Sequence, residues 1–377
     1  MNLKYATAIV CLASIMTGCT KQTSRSTHSE YPYTVSIDVT KMEEISYDSL
    51  VRHIEYIPIE TNPRFLLGEI TEVALGEDLI IFNSRQQPIY CFDKMGKFKF
   101  QLGNIGIGPG EYQRINGISI EENTIYLYNS TIGTLLSFDA KSGEFIQQEK
   151  FPRIYAKAYV QDNYVYVSEC TKDYHLLSFP LKDLQKVDTL YTTKQGYITS
   201  YNLRKKITRS NGRLFWTNPL WGEVYELKEG KMLPFISFDF AEHTLPRDSQ
   251  TEMRDFIKSK NYALQMGNFV ATDSIVHLCY HFGNDPRNCI YNLHSGKLFD
   301  TSLLDYLQHI EDRQERLVKK MPFVTHESDG WCYMFTQPSY NFSAEENLPA
   351  KYATYNRLQH LTPDSNPYMV RYKFDLK

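Results

Sequence analysis

LGNIGIGPGEYQRINGISIEENTIYLYNSTIGTLLSF, residues 102–138, carries a glycine-rich junction followed by three short strands. Gly103, Gly106, Gly108, Gly110 and Pro109 exclude a regular element at the junction, because glycine weakens helix and strand entropically and proline lacks the N–H donor. Downstream, Ile118 and Ile120, then Ile125-Tyr126-Leu127-Tyr128, then Leu135-Leu136-Ser137-Phe138 are short apolar runs bounded by turn residues. Repetition of such a unit would build a closed array of small sheets.

The unit does repeat. Apolar strands following a turn rich in Asp, Asn, Gly or Ser begin at Leu79, Ile125, Tyr164, Leu214, Ile275 and Trp331, spaced 46, 39, 50, 61 and 56 residues apart. The shorter intervals match the ~40 to 50 residues of a four-stranded propeller blade. After each comes another strand closing on a large apolar residue: Phe92, Phe138, Phe179, Leu227, Leu293 and finally Tyr372 or Phe374. Turns such as Asp93-Lys94-Met95-Gly96 and His294-Ser295-Gly296 then lead into an outer strand. The sixth copy stops at Lys377 without an outer strand, and Val51–Ile57, ahead of the first blade, is the segment that would supply it. The expected fold is all-β: a six-bladed β-propeller of four-stranded antiparallel blades over residues 46–377, closed by an N-terminal strand so that no sheet edge is left open.

The loop Gly106-Ile107-Gly108-Pro109-Gly110-Glu111-Tyr112, followed by a blade with Ile125-Tyr126 and Phe138-Asp139, looks like the NHL-type repeat. With Tyr56-Ile57-Pro58-Ile59-Glu60 near its start and Asn366-Pro367-Tyr368-Met369-Val370 near its end, the chain resembles the six-bladed NHL-like or TolB-like β-propeller lipoproteins of Bacteroidota. The resemblance implies an architecture and a compartment; it carries over no catalytic residue.

The N-terminus agrees with that compartment. Lys4 precedes an apolar run from Ala6 to Met16, too short to span a membrane, and then Thr17-Gly18-Cys19. Residues 1–18 resemble a bacterial lipoprotein signal peptide with Cys19 as the lipidated first residue of the mature chain. Residues 19–45 are expected to form a tether, since 20–30 hold no large apolar side chain. A lipid anchor in the outer membrane follows from this reading, with the cell envelope as location. Lys21 and Arg25 leave open whether the propeller faces the periplasm or the surface.

A net charge of −3, with no block of Lys or Arg, argues against nucleic acid as a partner. Aromatic content of 14 %, with 28 Tyr, suits half-buried strands. Of seven cysteines, Cys91, Cys170, Cys279, Cys289 and Cys332 remain once Cys11 is cleaved away and Cys19 is lipidated. Their odd number and the absence of C-x-x-C speak against a zinc knuckle or a redox dithiol. Cys279 and Cys289, read onto adjacent strands, are either a disulfide or two buried thiols.

Surplus residues fall at 241–268, 300–321 and 337–366. By strand parity all three emerge on the face that carries the GPGEY loop. The first reads as a helix capped by Asp248 or Ser249 with Met253, Phe256 and Ile257 on one side. The second places Leu303, Leu307, Ile310, Leu317 and Met321 on one stripe. Long insertions on one face mark a candidate functional surface.

No local catalytic motif appears. G-x-G-x-x-G would require glycine at Glu111, and neither H-E-x-x-H, G-x-S-x-G nor an EF-hand spacing occurs. The binding candidates are therefore single residues on the insertion face: Arg85, Tyr112, Asn129, Trp221, His281, Asp285 and Arg287, with Glu111, Lys172 and Asn218 beside them. The expected function is non-catalytic binding of a small molecule, glycan or protein by a monomer, without cofactor or metal. The alternative is a propeller hydrolase or lyase, which would require histidines and carboxylates of the innermost strands to converge on the channel.

Overall fold

In the computed structural model the described residues are 31–40, 51–85, 87–170, 173–194, 207–218, 221–245, 261–264, 269–283, 285–300, 326–328, 330–338, 342 and 350–374. They form six blade sheets around a ring, with a two-stranded parallel pair, Asn104–Ile105 and Glu111–Tyr112, in the loop between blades 1 and 2. Blade 2 shows the plan: Ile115–Glu121, Thr124–Asn129, Thr134–Asp139 and Phe145–Lys150 pair in order, each antiparallel to the last. Blade 1 covers 70–102, blade 3 157–194, blade 4 207–239, blade 5 263–300 and blade 6 326–374.

Six apolar clusters, one per junction, hold the blades together. Phe82 and Ile80 of blade 1 pack with Tyr333 and Met369 of blade 6, while Ile81 between them packs with Ile118 and Leu127 of blade 2. A blade strand is thus buried on both faces, which is why Leu79–Phe82 reads as an unbroken apolar run instead of an alternation. Remaining junctions are filled in the same way, between blades 2 and 3, 3 and 4, 4 and 5, and 5 and 6.

Two segments from outside the repeats join the sheets. Val51–Pro58 pairs antiparallel with Tyr368–Phe374 as the fourth strand of blade 6. Tyr33–Ser36, a stretch the sequence assigned to the tether, adds a fifth strand to blade 4 by pairing parallel with Ile236–Asp239. Its alternation explains the strand: Val35, Ile37 and Val39 are buried against Phe238 and Phe240, while the residues between them face out.

Of the three surplus segments, part of the last is described, and there Tyr352, Tyr355 and Leu358 in two short 3-10 turns join the core between blades 5 and 6. Residues 246–260 and 301–321, where helices were expected, lie outside the described residues. No α-helix occurs among the described residues. Cys279 stands opposite Asn288 in the strand register, and its thiol donates to Asn288 Oδ1 at 2.6 Å, whereas Cys289 stands opposite Leu278. Both cysteines are buried, in the way of small hydrophobes.

Candidate functional site

The first strands of successive blades approach one another at the middle of the ring, so their polar side chains meet there. Lys157-Ala158-Tyr159-Val160-Gln161 opens blade 3. Ala158 and Val160 enter the core shared with blade 2, which leaves Lys157, Tyr159 and Gln161 on the other side of the strand. From blade 1, Glu72 is the one charged side chain of Ile70–Leu75, and Arg209 is the one charged side chain of Ile207–Ser210 on blade 4.

Glu72, Tyr159 and Lys157 form one hydrogen-bonded chain. The Lys157 ammonium donates to the Tyr159 hydroxyl at 3.2 Å, and that hydroxyl donates to the Glu72 carboxylate. Two more donors reach the carboxylate, the backbone N–H groups of Gly117 and Ile118 on blade 2. Gly117 sits where no side chain fits. Its φ of +139° is closed to other residues, and a Cβ there would stand 1.9 Å from the Ala158 carbonyl oxygen. Its bare backbone lets blade 2 pack directly against blade 3.

A second group lies at the opposite ends of the same strands. Arg209 donates to Gln161 Oε1 at 2.9 Å and to the Val160 carbonyl, and its Nη1 stands 3.8 Å from Glu121 Oε1. Its Nε is buried with no hydrogen-bond partner.

Electrostatics mark both groups as costly. Burial pushes the Glu72 carboxyl above its ordinary range, against the pull of Lys157, Tyr159 and the two backbone donors. Burial first, and the Glu72 charge second, hold the Tyr159 phenol well above its usual value. Burial lowers Arg209 despite Glu121. Glu72, Lys157 and Arg209 nevertheless keep part of their surface accessible, as side chains around a narrow wet channel would. Among the described residues no group of three or more His, Cys, Asp or Glu is arranged to hold a metal.

The candidates chosen from sequence are dispersed. Tyr112 is buried, donating to the Leu102 carbonyl and accepting the Ile89 N–H, each at 2.7 Å. Glu111 takes the Gly108 N–H at 2.8 Å, so both residues hold the GPGEY loop in shape. Asn129 is buried and accepts from Thr131 N at 3.2 Å in its own turn. Trp221 lies in the core between blades 3 and 4 and donates to the Leu245 carbonyl at 3.0 Å; Asn218 is buried against Glu223. Arg85 is exposed, 3.2 Å from Glu69.

His281 is half-buried, lowered by desolvation, and stands opposite Pro286, while Asp285 stands opposite Phe282 and Arg287 opposite Tyr280. His281 and Asp285 therefore do not share a register position. Lys172 lies outside the described residues. Reading the second strands of the blades, where the apolar runs are strongest, passed over Glu72, Lys157, Tyr159 and Arg209. The usable signal was the lone charge in each of the short first strands of blades 1, 3 and 4.

A protein of Bacteroides fragilis described as exported has the same fold, with a TM-score of 0.71 at 14 % identity over 91 % of this chain and 99 % of that one. BamB from Moraxella catarrhalis aligns at a TM-score of 0.40 and 13 % identity, over 64 % of this chain and 66 % of that one. No curated protein matches the sequence. The family model described as a domain of unknown function, DUF4934, matches residues 32–373, and the chain belongs to that family.

Proposed function

We propose that this protein is a cell-envelope lipoprotein, anchored through Cys19 to the outer membrane. Its propeller, closed by Val51–Pro58, binds a small ligand in the central channel without transforming it. The chain Lys157–Tyr159–Glu72 carries the reading. A buried tyrosine set between a carboxylate and an ammonium that are each only partly accessible, contributed by two blades around a backbone notch on a third, weakens the fold unless function repays it.

Access comes from the insertion-bearing face. Consecutive antiparallel strands put every blade-to-blade connection on one face, and Lys157 is the first residue of its strand below that face. Arg209, Gln161 and Glu121 fill the far end.

Two measurements test this reading. Thermal-shift screening of a small-molecule set, repeated on Lys157→Ala, should return compounds whose stabilisation vanishes in the variant, each recovered unchanged by NMR after incubation. Recovery of altered compounds would favour the hydrolase or lyase, for which Glu72 would serve as the acid. Separately, Cys19→Ala should move the protein from the membrane fraction to the soluble one, and unchanged fractionation would remove the lipid anchor from the reading.

A further inference from the structure

We infer that the outer edge of blade 2 receives an extended peptide strand from a partner protein, with apolar side chains at alternate positions and a cationic residue set against Glu149. This surface lies apart from the channel and does not depend on it.

Blade 4 shows how such an edge is used. There Tyr33–Ser36 lies parallel to Ile236–Asp239, outside the fourth strand, and Val35, Ile37 and Val39 drop into the junction with blade 5. The added strand satisfies backbone groups along the edge and fills the cleft beside it.

Blade 2 has an edge and a cleft of the same kind, and among the described residues no strand pairs with the outer side of Phe145–Lys150. Phe145 is 38 % and Ile146 53 % exposed, whereas the outer strands Phe98–Leu102 of blade 1 and Val51–Pro58 of blade 6 expose no large apolar side chain. Toward blade 3 the edge borders a groove of about 490 Å³, lined by Tyr126, Gln147 and Glu149 of blade 2 and by Pro180, Leu181 and Lys182 of blade 3. Glu149 stands opposite Leu135, which belongs to the core shared with blade 3. The groove therefore continues that junction outward, the position that Val35 and Ile37 fill on blade 4.

The described ends of the chain lie elsewhere. Tyr31 is bonded to Tyr225 of blade 4, and Phe374 pairs with Val51 in blade 6. Residues 20–30 carry no large apolar side chain to fill the groove. A second molecule is the better source of the strand.

Charge narrows its sequence. Paired strands lie about 4.8 Å apart, so one residue of the added strand stands beside Gln147 and another, two positions on, beside Glu149. Tyr126, Pro180 and Leu181 offer apolar wall to the first. Glu149 is half-buried, accepts the Gln147 amide at 3.0 Å, and has no cation within ion-pair distance among the described residues. A lysine or arginine beside it supplies that countercharge, and a carboxylate there is repelled.

The test uses the full mature chain at low ionic strength and two dye-labelled peptides. One alternates threonine with valine and carries lysine in place of its last valine; its twin carries glutamate there. Fluorescence anisotropy should show saturable binding, at least about threefold tighter for the lysine peptide, and hydrogen exchange should slow in Phe145–Lys150 when it is bound. Glu149→Lys should reverse the order of the two peptides, and Glu149→Gln should abolish the preference if the charge reversal fails to fold. Equal binding of the two peptides, or protection elsewhere than Phe145–Lys150, would overturn the inference. So would an absence of binding by both, or saturable binding of maltose in the groove without either peptide, which would make it a sugar site.

Discussion

The side-chain oxygen of Asn366 accepts the backbone N–H of Leu67 at 2.7 Å, across 299 positions of sequence. The amide nitrogen of Asn366 donates to the carbonyls of Glu60 and Phe65 at 2.7 and 3.1 Å. One buried side chain thereby fastens the connection from blade 6 to blade 1. Asn366→Ala leaves one N–H and two carbonyls short of a partner, and should lower stability by about 3 kcal/mol. The midpoint of urea denaturation reads this out; a shift worth under about 1 kcal/mol would mean that water takes over all three bonds.

Gly117 supports both fold and site. Gly117→Ala puts a Cβ into the Ala158 carbonyl oxygen at a φ of +139°, a backbone region that strains any other residue. Blades 2 and 3 must separate to relieve the overlap. Destabilisation of at least about 3 kcal/mol is expected, with hydrogen exchange accelerated first in Ile115–Glu121 and Lys157–Gln161.

Glu72 makes stability depend on pH. Its folded pKa is raised above the ordinary 4.5, chiefly by burial. A carboxyl raised in this way favours the fold below its unfolded pKa and loses that contribution as pH rises through the folded value. Glu72→Gln removes the dependence, so the variant should gain stability relative to the wild type as pH increases from 4.5. Denaturation midpoints of the two proteins over a pH series check the sign; a difference moving the other way would show that the three donors outweigh burial.

His277 acts in the acid range. Burial lowers its pKa to about 4, and its Nδ1 has no hydrogen-bond partner. Here the folded value lies below the unfolded one, so stability falls as pH drops from 6.5 and levels off near 4. The loss attributable to this residue is about 3 kcal/mol. His277→Leu should flatten that part of the profile, as measured by thermal melting across the same pH range.

The arm at 33–36 is tied to blade 4 by backbone pairing and by Ile37, which is 2 % exposed. Ile37→Asp buries a carboxylate among Phe238, Phe240 and their neighbours. A loss of about 3 kcal/mol should follow. Protection from hydrogen exchange should fall in Lys231–Asp239, whose outer edge is then uncovered. Unchanged protection there would mean that the arm adds nothing to the blade.

Repeated apolar runs bounded by Asp, Asn and Gly turns determined the six blades, because the middle strands of a blade, such as Ile80–Ser84 and Thr134–Asp139, are buried on both faces and must announce themselves locally. The same logic located the turn residues and the GPGEY junction, whose glycines answer to backbone geometry within a few residues. The site obeyed no such rule. Glu72, Lys157 and Arg209 come from blades 1, 3 and 4 and are separated by more than fifty residues along the chain, so no spacing in the sequence links them. Tyr112 and Asn129 looked available in sequence and proved to be engaged with backbone groups brought close by folding. Only the tertiary structure decided which polar side chains spend their hydrogen bonds on the fold and which, like Lys157, keep donors to offer. The reason is that this division depends on distances between blades, and those are set by packing across the ring.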